Sequence, residues 1–288
     1  MPPQDIFSMT DHLDQQMLDV MVTRLEARGR HPFFSTMLQE YLEAMAIDSA
    51  RTVLDLGCGT GLAARTIALR ARFVGTIVGI DLSAYLLDAA TRLAAEAGVA
   101  SRVTFQVGDT HHLDLPDAQF DAVVAHTLLS HVTDPGAVVQ EAARLVRPGG
   151  MVGIFDGDYA SLTFDQEDLV QGRADDEALI TALVANPRVM RQMPRLLRRA
   201  GLTIIACFPY VLAEVGQADF WASGIEAYRR LVPRSGTMTE AQADAWAGRL
   251  AHDSDVGQFF GASNFYAYVA RKATPPAHAG PTPTAEHA

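Results

Sequence analysis

The hydrophobic positions change rhythm twice along the chain. Between residues 14 and 28, Leu18, Val22 and Leu25 recur at helical spacing. Between 32 and 46 two rows run side by side, Phe33, Met37, Tyr41 and Met45 beside Phe34, Leu38 and Leu42. Apolar residues four apart share one helix face, so two helices are expected, separated at Arg28-Gly29-Arg30-His31-Pro32. From residue 51 the pattern becomes short β-branched runs at 52–56, 76–80, 103–107, 120–125 and 151–155. Helical segments at 61–70, 83–97 and 134–146 lie between several of them. Strands alternating with helices require parallel crossovers, which predicts an α/β fold with a doubly wound, mostly parallel sheet.

Local signals set several boundaries. Gly98 is placed to end a helix, and Asp134 followed by Pro135 to start one. Arg147-Pro148-Gly149-Gly150 breaks the chain before the fifth run. After Phe155 a polar stretch, 156–176, reads as a long loop with some helix, 186–200 as a helix, and 202–208 and 264–270 as the last two strands. The segment between them, 213–256, carries Phe220, Trp221, Ile225, Tyr228 and Leu231 at near-helical spacing. A capping box then follows at Thr239-Glu240-Ala241-Gln242. An insertion of that length suggests a lid. The expected organisation is a helical cap over 1–50 and a main domain over 51–271 with the 213–256 lid. A tail over 272–288, with four prolines and no large apolar side chain, is expected to be disordered.

Composition narrows the function classes. With 23 Lys+Arg against 34 Asp+Glu the 288-residue chain carries a formal charge of −11, which argues against an extended nucleic-acid or anionic-membrane surface. Hydrophobic residues make up 49 %, enough for a sizeable core. Two cysteines, Cys58 and Cys207, exclude a disulfide scaffold and a cysteine-rich metal site. No apolar run has the length of a membrane span, and the polar, acidic N-terminus does not fit a secretory signal, so a soluble, cytoplasmic protein is expected.

The informative stretch is Val53-Leu54-Asp55-Leu56-Gly57-Cys58-Gly59-Thr60-Gly61, a strand running into a glycine turn and then a helix. Glycines allow the backbone to approach a ligand closely, and a helix start offers unpaired N–H groups. The spacing is G-x-G-x-G, with Leu62 where the dinucleotide fingerprint places its third glycine. Asp55, two residues before the turn, suits a ligand bearing an ammonium better than one bearing a pyrophosphate. An acid, Asp81 in Gly79-Ile80-Asp81-Leu82-Ser83, follows twenty residues after the last glycine. A carboxylate there can accept two ribose hydroxyls.

Together with Gly108-Asp109-Thr110, Phe120–His126 and the Arg-Pro-Gly-Gly turn, these motifs resemble the class I S-adenosylmethionine-dependent methyltransferases, and most nearly their ubiquinone-methyltransferase-like branch. The resemblance spans roughly residues 51–155. It implies a seven-stranded sheet, S-adenosylmethionine as cofactor and a small organic acceptor. It places Asp55, Gly57, Gly59, Gly61, Asp81, Leu82, Asp109, Thr110 and His126 at the cofactor, with Asp109 near the adenine. His126 and His131, after the fourth strand, are the candidate bases, His131 preferred; no metal is expected, because Asp156 and Asp158 form the one evident acidic pair. Phe33, Phe34, Tyr41, Phe220, Trp221 and Tyr228 could line a pocket for an apolar or aromatic acceptor, or could pack as core. O-methylation is expected first, C- or N-methylation next. A non-catalytic cofactor-binding protein and a nicotinamide-dependent oxidoreductase remain the alternatives of other classes.

Overall fold

The structure, a computed structural model, describes Asp5, Phe7, Thr10 and residues 13–274. Two helices, α1 (Gln15–Arg30) and α2 (Pro32–Ala44), precede the sheet. The strands are β1 (Thr52–Leu56), β2 (Thr76–Asp81), β3 (Val103–Val107), β4 (Phe120–His126), β5 (Val146–Phe164), β6 (Leu202–Gly216) and β7 (Phe259–Lys272). Their spatial order is β3-β2-β1-β4-β5-β7-β6, parallel except for β7, which runs antiparallel to both neighbours. Between them lie α3 (Leu62–Ala68), α4 (Ala84–Glu96), α5 (Pro135–Leu145), α6 (Leu169–Leu183), α7 (Val189–Arg199), α8 (Phe220–Ser235) and α9 (Glu240–Asp255).

Alternation along the strands divides the core between the two faces of the sheet. Leu54, Leu56, Val123, Ala125, Val152 and Ile154 join α5 and α7 on one face. Val53, Ala122, Val124 and Phe155 join α1, α2, α8 and α9 on the other. The anticipated caps are present: Asp134 accepts from Gly136 and Ala137 N–H, and Thr239 and Gln242 complete their capping box. Strand order reverses between β1 and β4, so the connections leaving those two strands turn to opposite sides and leave a crevice at their carboxyl ends.

Three sequence readings need correction. The polar stretch after Phe155 continues as strand to Phe164, because β7 supplies the hydrogen-bonding partner and the two acids are individually satisfied. Asp156 accepts from Ser130 N–H and Oγ, and Asp158 chelates Arg191. The stretch 169–183 is a full helix, started by Asp168. β6 and β7 are longer than their apolar runs, so the inserted helices begin only after Gly216. The Arg-Pro-Gly-Gly turn survives as a register shift inside β5, against Phe120 and Ala122 of β4. The tail expected from 272 keeps its first residue in β7; residues 275–288 lie outside the described residues.

Candidate active site

A cleft of about 410 Å³ opens at the carboxyl ends of β1, β2 and β4. Of the expected cofactor residues, Asp55, Gly57, Gly59, Asp81, Leu82, Asp109, Thr110 and His126 line it, as does His131. Gly61 stands behind the wall. It caps α3 with φ +75°, and a Cβ there would meet the Phe105 ring at 2.6 Å. Gly59 (φ +52°) has no neighbour closer than 3.8 Å to such a Cβ, so its missing side chain leaves open space.

Two carboxylates organise the turn. Asp81 accepts from Gly59 N–H at 2.8 Å and from Ser83 N–H at 2.9 Å, which ties the end of β2 to the glycine loop. Asp55 is nearly fully buried; its Oδ2 accepts from Ala64 N–H at 3.1 Å while its Oδ1 is enclosed without a partner. Burial pushes its carboxyl up to about 7, against the Ala64 hydrogen bond and with help from Asp81. An orphaned buried carboxylate oxygen on the wall of a cleft is a site for a cationic donor. Asp109 is further out; its Oδ1 accepts from His111 N–H and from His111 Nδ1 at 2.6 Å. Leu82 presents an exposed apolar side chain to the same end.

The two histidines differ in kind. His126 stacks on Phe155 at 4.8 Å and its Nδ1 shares a hydrogen bond with the Tyr41 hydroxyl. Burial, reinforced by Arg28, lowers its pKa to about 3, so it stays neutral and is a weak base. Burial also opposes charge on His131, but Asp5 outweighs it and holds the pKa above the ordinary value. His131 Nδ1 donates to Asp5 Oδ2 at 2.7 Å, and Phe7 packs on its ring.

Sequence reading missed Arg28, Thr127, Asp5 and Phe7, which also frame this cleft or its histidine. Arg28 continues the buried stripe of Met17, Met21 and Arg24 on α1; a charge in phase with apolar residues was the available signal. Its Nη2 donates to Thr127 Oγ1 at 2.8 Å, and its Nε is enclosed without a partner. Thr127 holds a left-handed backbone (φ 57°), costly for a β-branched residue and concentrated at functional positions.

None of the six aromatic residues considered for the acceptor pocket lines this cleft. Phe34, Tyr41, Phe220, Trp221 and Tyr228 are buried in the core between α1, α2, α8 and the sheet, and Phe33 faces outward. Asp156 and Asp158 do not converge, since each is held by its own partner. His31, Glu214 and Asp219 do approach one another, but both Glu214 oxygens accept from the first N–H groups of α8 and serve as its cap. Among the described residues no helix is long and apolar enough to cross a membrane.

A methyltransferase-domain family model matches residues 54–154. The chain is 31 % identical over 259 residues to an uncharacterised 37.1 kDa protein of a Streptomyces fradiae transposon, covering 90 % of this chain and 71 % of that one. It is 38 % identical over 112 residues to a ubiquinone biosynthesis O-methyltransferase of Paracidovorax citrulli, 39 % of this chain and less than half (46 %) of that one. The fold is similar to the crystal structure of the [4+2]-cyclase SpnF, with a TM-score of 0.59 at 22 % identity over 90 % and 95 % of the two chains.

Proposed function

Because this chain belongs to the class I S-adenosylmethionine-dependent methyltransferases, we propose that it methylates an oxygen of a small organic molecule, with His131 as the base. The observation that carries the cofactor half is the pairing of Asp55 and Arg28 on one cleft. An orphaned carboxylate oxygen and a guanidinium with an unpartnered Nε suit the two ends of an amino-acid zwitterion. Asp81 would take the ribose hydroxyls, Leu82 would lie against the adenine, and Asp109 with Thr110 would stand at its edge. Bound S-adenosylmethionine supplies a methyl group on a positively charged sulfur. The protein's own contribution is to orient, to exclude water and to hold the acceptor's proton.

His131 supports the oxygen reading. A neutral hydroxyl must lose its proton as its oxygen is alkylated, and a histidine fixed through Nδ1 leaves Nε2 to take it. His126 serves better as a neutral wall. Carbon methylation is the second reading, distinguished by whether the new methyl of the product is attached to oxygen or carbon in its NMR spectrum. Replacing His131 with Gln should remove turnover while leaving S-adenosylhomocysteine affinity intact; full turnover in that variant would end the assignment of the base.

A further inference from the structure

Arg24 and Arg28 stand one turn apart on α1 and project from the same face. The Arg24 guanidinium lies 4.9 Å from the centroid of Phe220 and 5.7 Å from that of Tyr228, and Nη1 donates to Ser223 Oγ at 2.8 Å. Arg28 lies over Phe34 at 5.0 Å and donates to Thr127. Among the described residues neither has a carboxylate at ion-pair distance; hydroxyl oxygens are their hydrogen-bonding partners. Glu26, between them in sequence, is turned away to chelate Arg65. Two neighbouring cations, Arg24 buried and Arg28 half-buried, each held by one neutral hydroxyl, are an unbalanced arrangement. A methionine would pack on the same rings without desolvating a charge, so the packing alone does not account for Arg24.

The two arginines divide the space around them. Arg28 lines the cofactor cleft, whereas Arg24 does not and faces α8. A carboxylate inside the cleft therefore reaches Arg28 and leaves Arg24 unanswered. Tyr159 of β5 interacts electrostatically with both arginines, with Tyr228 and with Asp156, and Asp156 in turn with His131. The Tyr159 ring lies 6.5 Å from that of His131, the candidate base.

We propose that Arg24, backed by Arg28, recognises an oxyanion, carboxylate or phosphate, carried by the methyl acceptor where α1 meets α8. This rests on the methyl-transfer reading and adds a charge requirement to it. The acceptor is then a small anionic molecule with its oxyanion at Arg24 and its nucleophilic oxygen facing His131.

The test titrates the full chain, saturated with S-adenosylhomocysteine, with benzoate, phenyl phosphate and neutral benzamide. At least one anionic probe should bind tenfold or more tightly than benzamide, and the better of the two identifies the group. Arg24→Met should abolish that preference without changing S-adenosylhomocysteine affinity, and Arg24→Lys should restore part of it. Equal binding of the three probes, including no binding of any, overturns the proposal, as does a preference that survives in Arg24→Met. If Arg24→Met does not fold, the three wild-type affinities and Arg24→Lys decide it by the same criteria. If S-adenosylhomocysteine fails to bind the wild type, the methyl-transfer reading fails instead, and the three probes titrated alone still decide the anion site.

Discussion

His131 Nδ1 donates to Asp5 Oδ2 across 2.7 Å, joining a residue that follows β4 to one more than 120 positions earlier in the chain. Asp5 is buried and its Oδ1 accepts from Phe7 N–H, so the carboxylate is oriented from both sides. The pair fixes the imidazole tautomer and raises its pKa. As the proposed base, His131 would work neutral, so kcat should fall as pH drops through its pKa. Asp5→Asn should move that acid limb to lower pH, because burial and Arg28 are then opposed by Asp156 and no longer by Asp5. His131→Gln should lower kcat by about 10²-fold or more. The raised folded pKa also has a stability consequence. The ion pair stabilises fully below about 6.5, the unfolded value, and that contribution is lost as pH rises through the folded one. Melting of wild type and Asp5→Asn between pH 5 and 9 measures it, and a constant difference would contradict it.

Asp55 should make cofactor binding pH-dependent. Its carboxyl titrates near 7 when the cleft is empty of ligand cation, against about 3.9 in an unfolded chain. The raised value costs stability as pH climbs between those two points, and an ammonium beside Oδ1 reverses it by favouring the carboxylate. Binding of S-adenosylhomocysteine should therefore release a proton below pH 7 and tighten by up to about fivefold from pH 6 to pH 7. Calorimetry in buffers of different ionisation enthalpy reads the proton directly. Asp55→Asn should bind more weakly and without this pH dependence.

Replacing Asp81 with Ala removes both the proposed ribose contact and the bond to Gly59. Charge-assisted hydrogen bonds contribute about 1.5–3 kcal/mol each, so S-adenosylhomocysteine affinity should fall by about tenfold or more. Unchanged affinity would remove Asp81 from the cofactor site.

Trp221 separates core from pocket. It is buried and meets Phe164 and Phe220 edge to face. Trp221→Ala should destabilise by about 3–5 kcal/mol, the range for large aromatic truncations in cores. A chemical-denaturation midpoint close to that of the wild type would return Trp221 to the acceptor pocket.

The parts of this molecule set by local chemistry were legible in its sequence. Glycines at 57 and 59 followed by an acid at 81 describe a turn closed by the Asp81–Gly59 hydrogen bond, and Asp134 and Thr239 announced the helices they cap. What escaped depended on partners distant in the chain. Asp156 and Asp158 read as loop acids until Ser130 and Arg191 made a strand tolerable there. The apolar stripes of α2 and α8 read equally as pocket or core, because periodicity identifies a buried face without identifying what covers it. Arg28 looked like part of an interhelical break, although its phase on α1 already placed a charge among buried residues.

The most direct test of the central claim incubates the protein with S-adenosylmethionine carrying an isotopically labelled methyl group and a metabolite extract of its source. Label is then followed by mass spectrometry into small-molecule, protein and nucleic-acid fractions. The account predicts a protein-dependent labelled small molecule, absent with His131→Gln, whose new methyl is bonded to oxygen. Label confined to macromolecules, or no transfer despite tight cofactor binding, would contradict it.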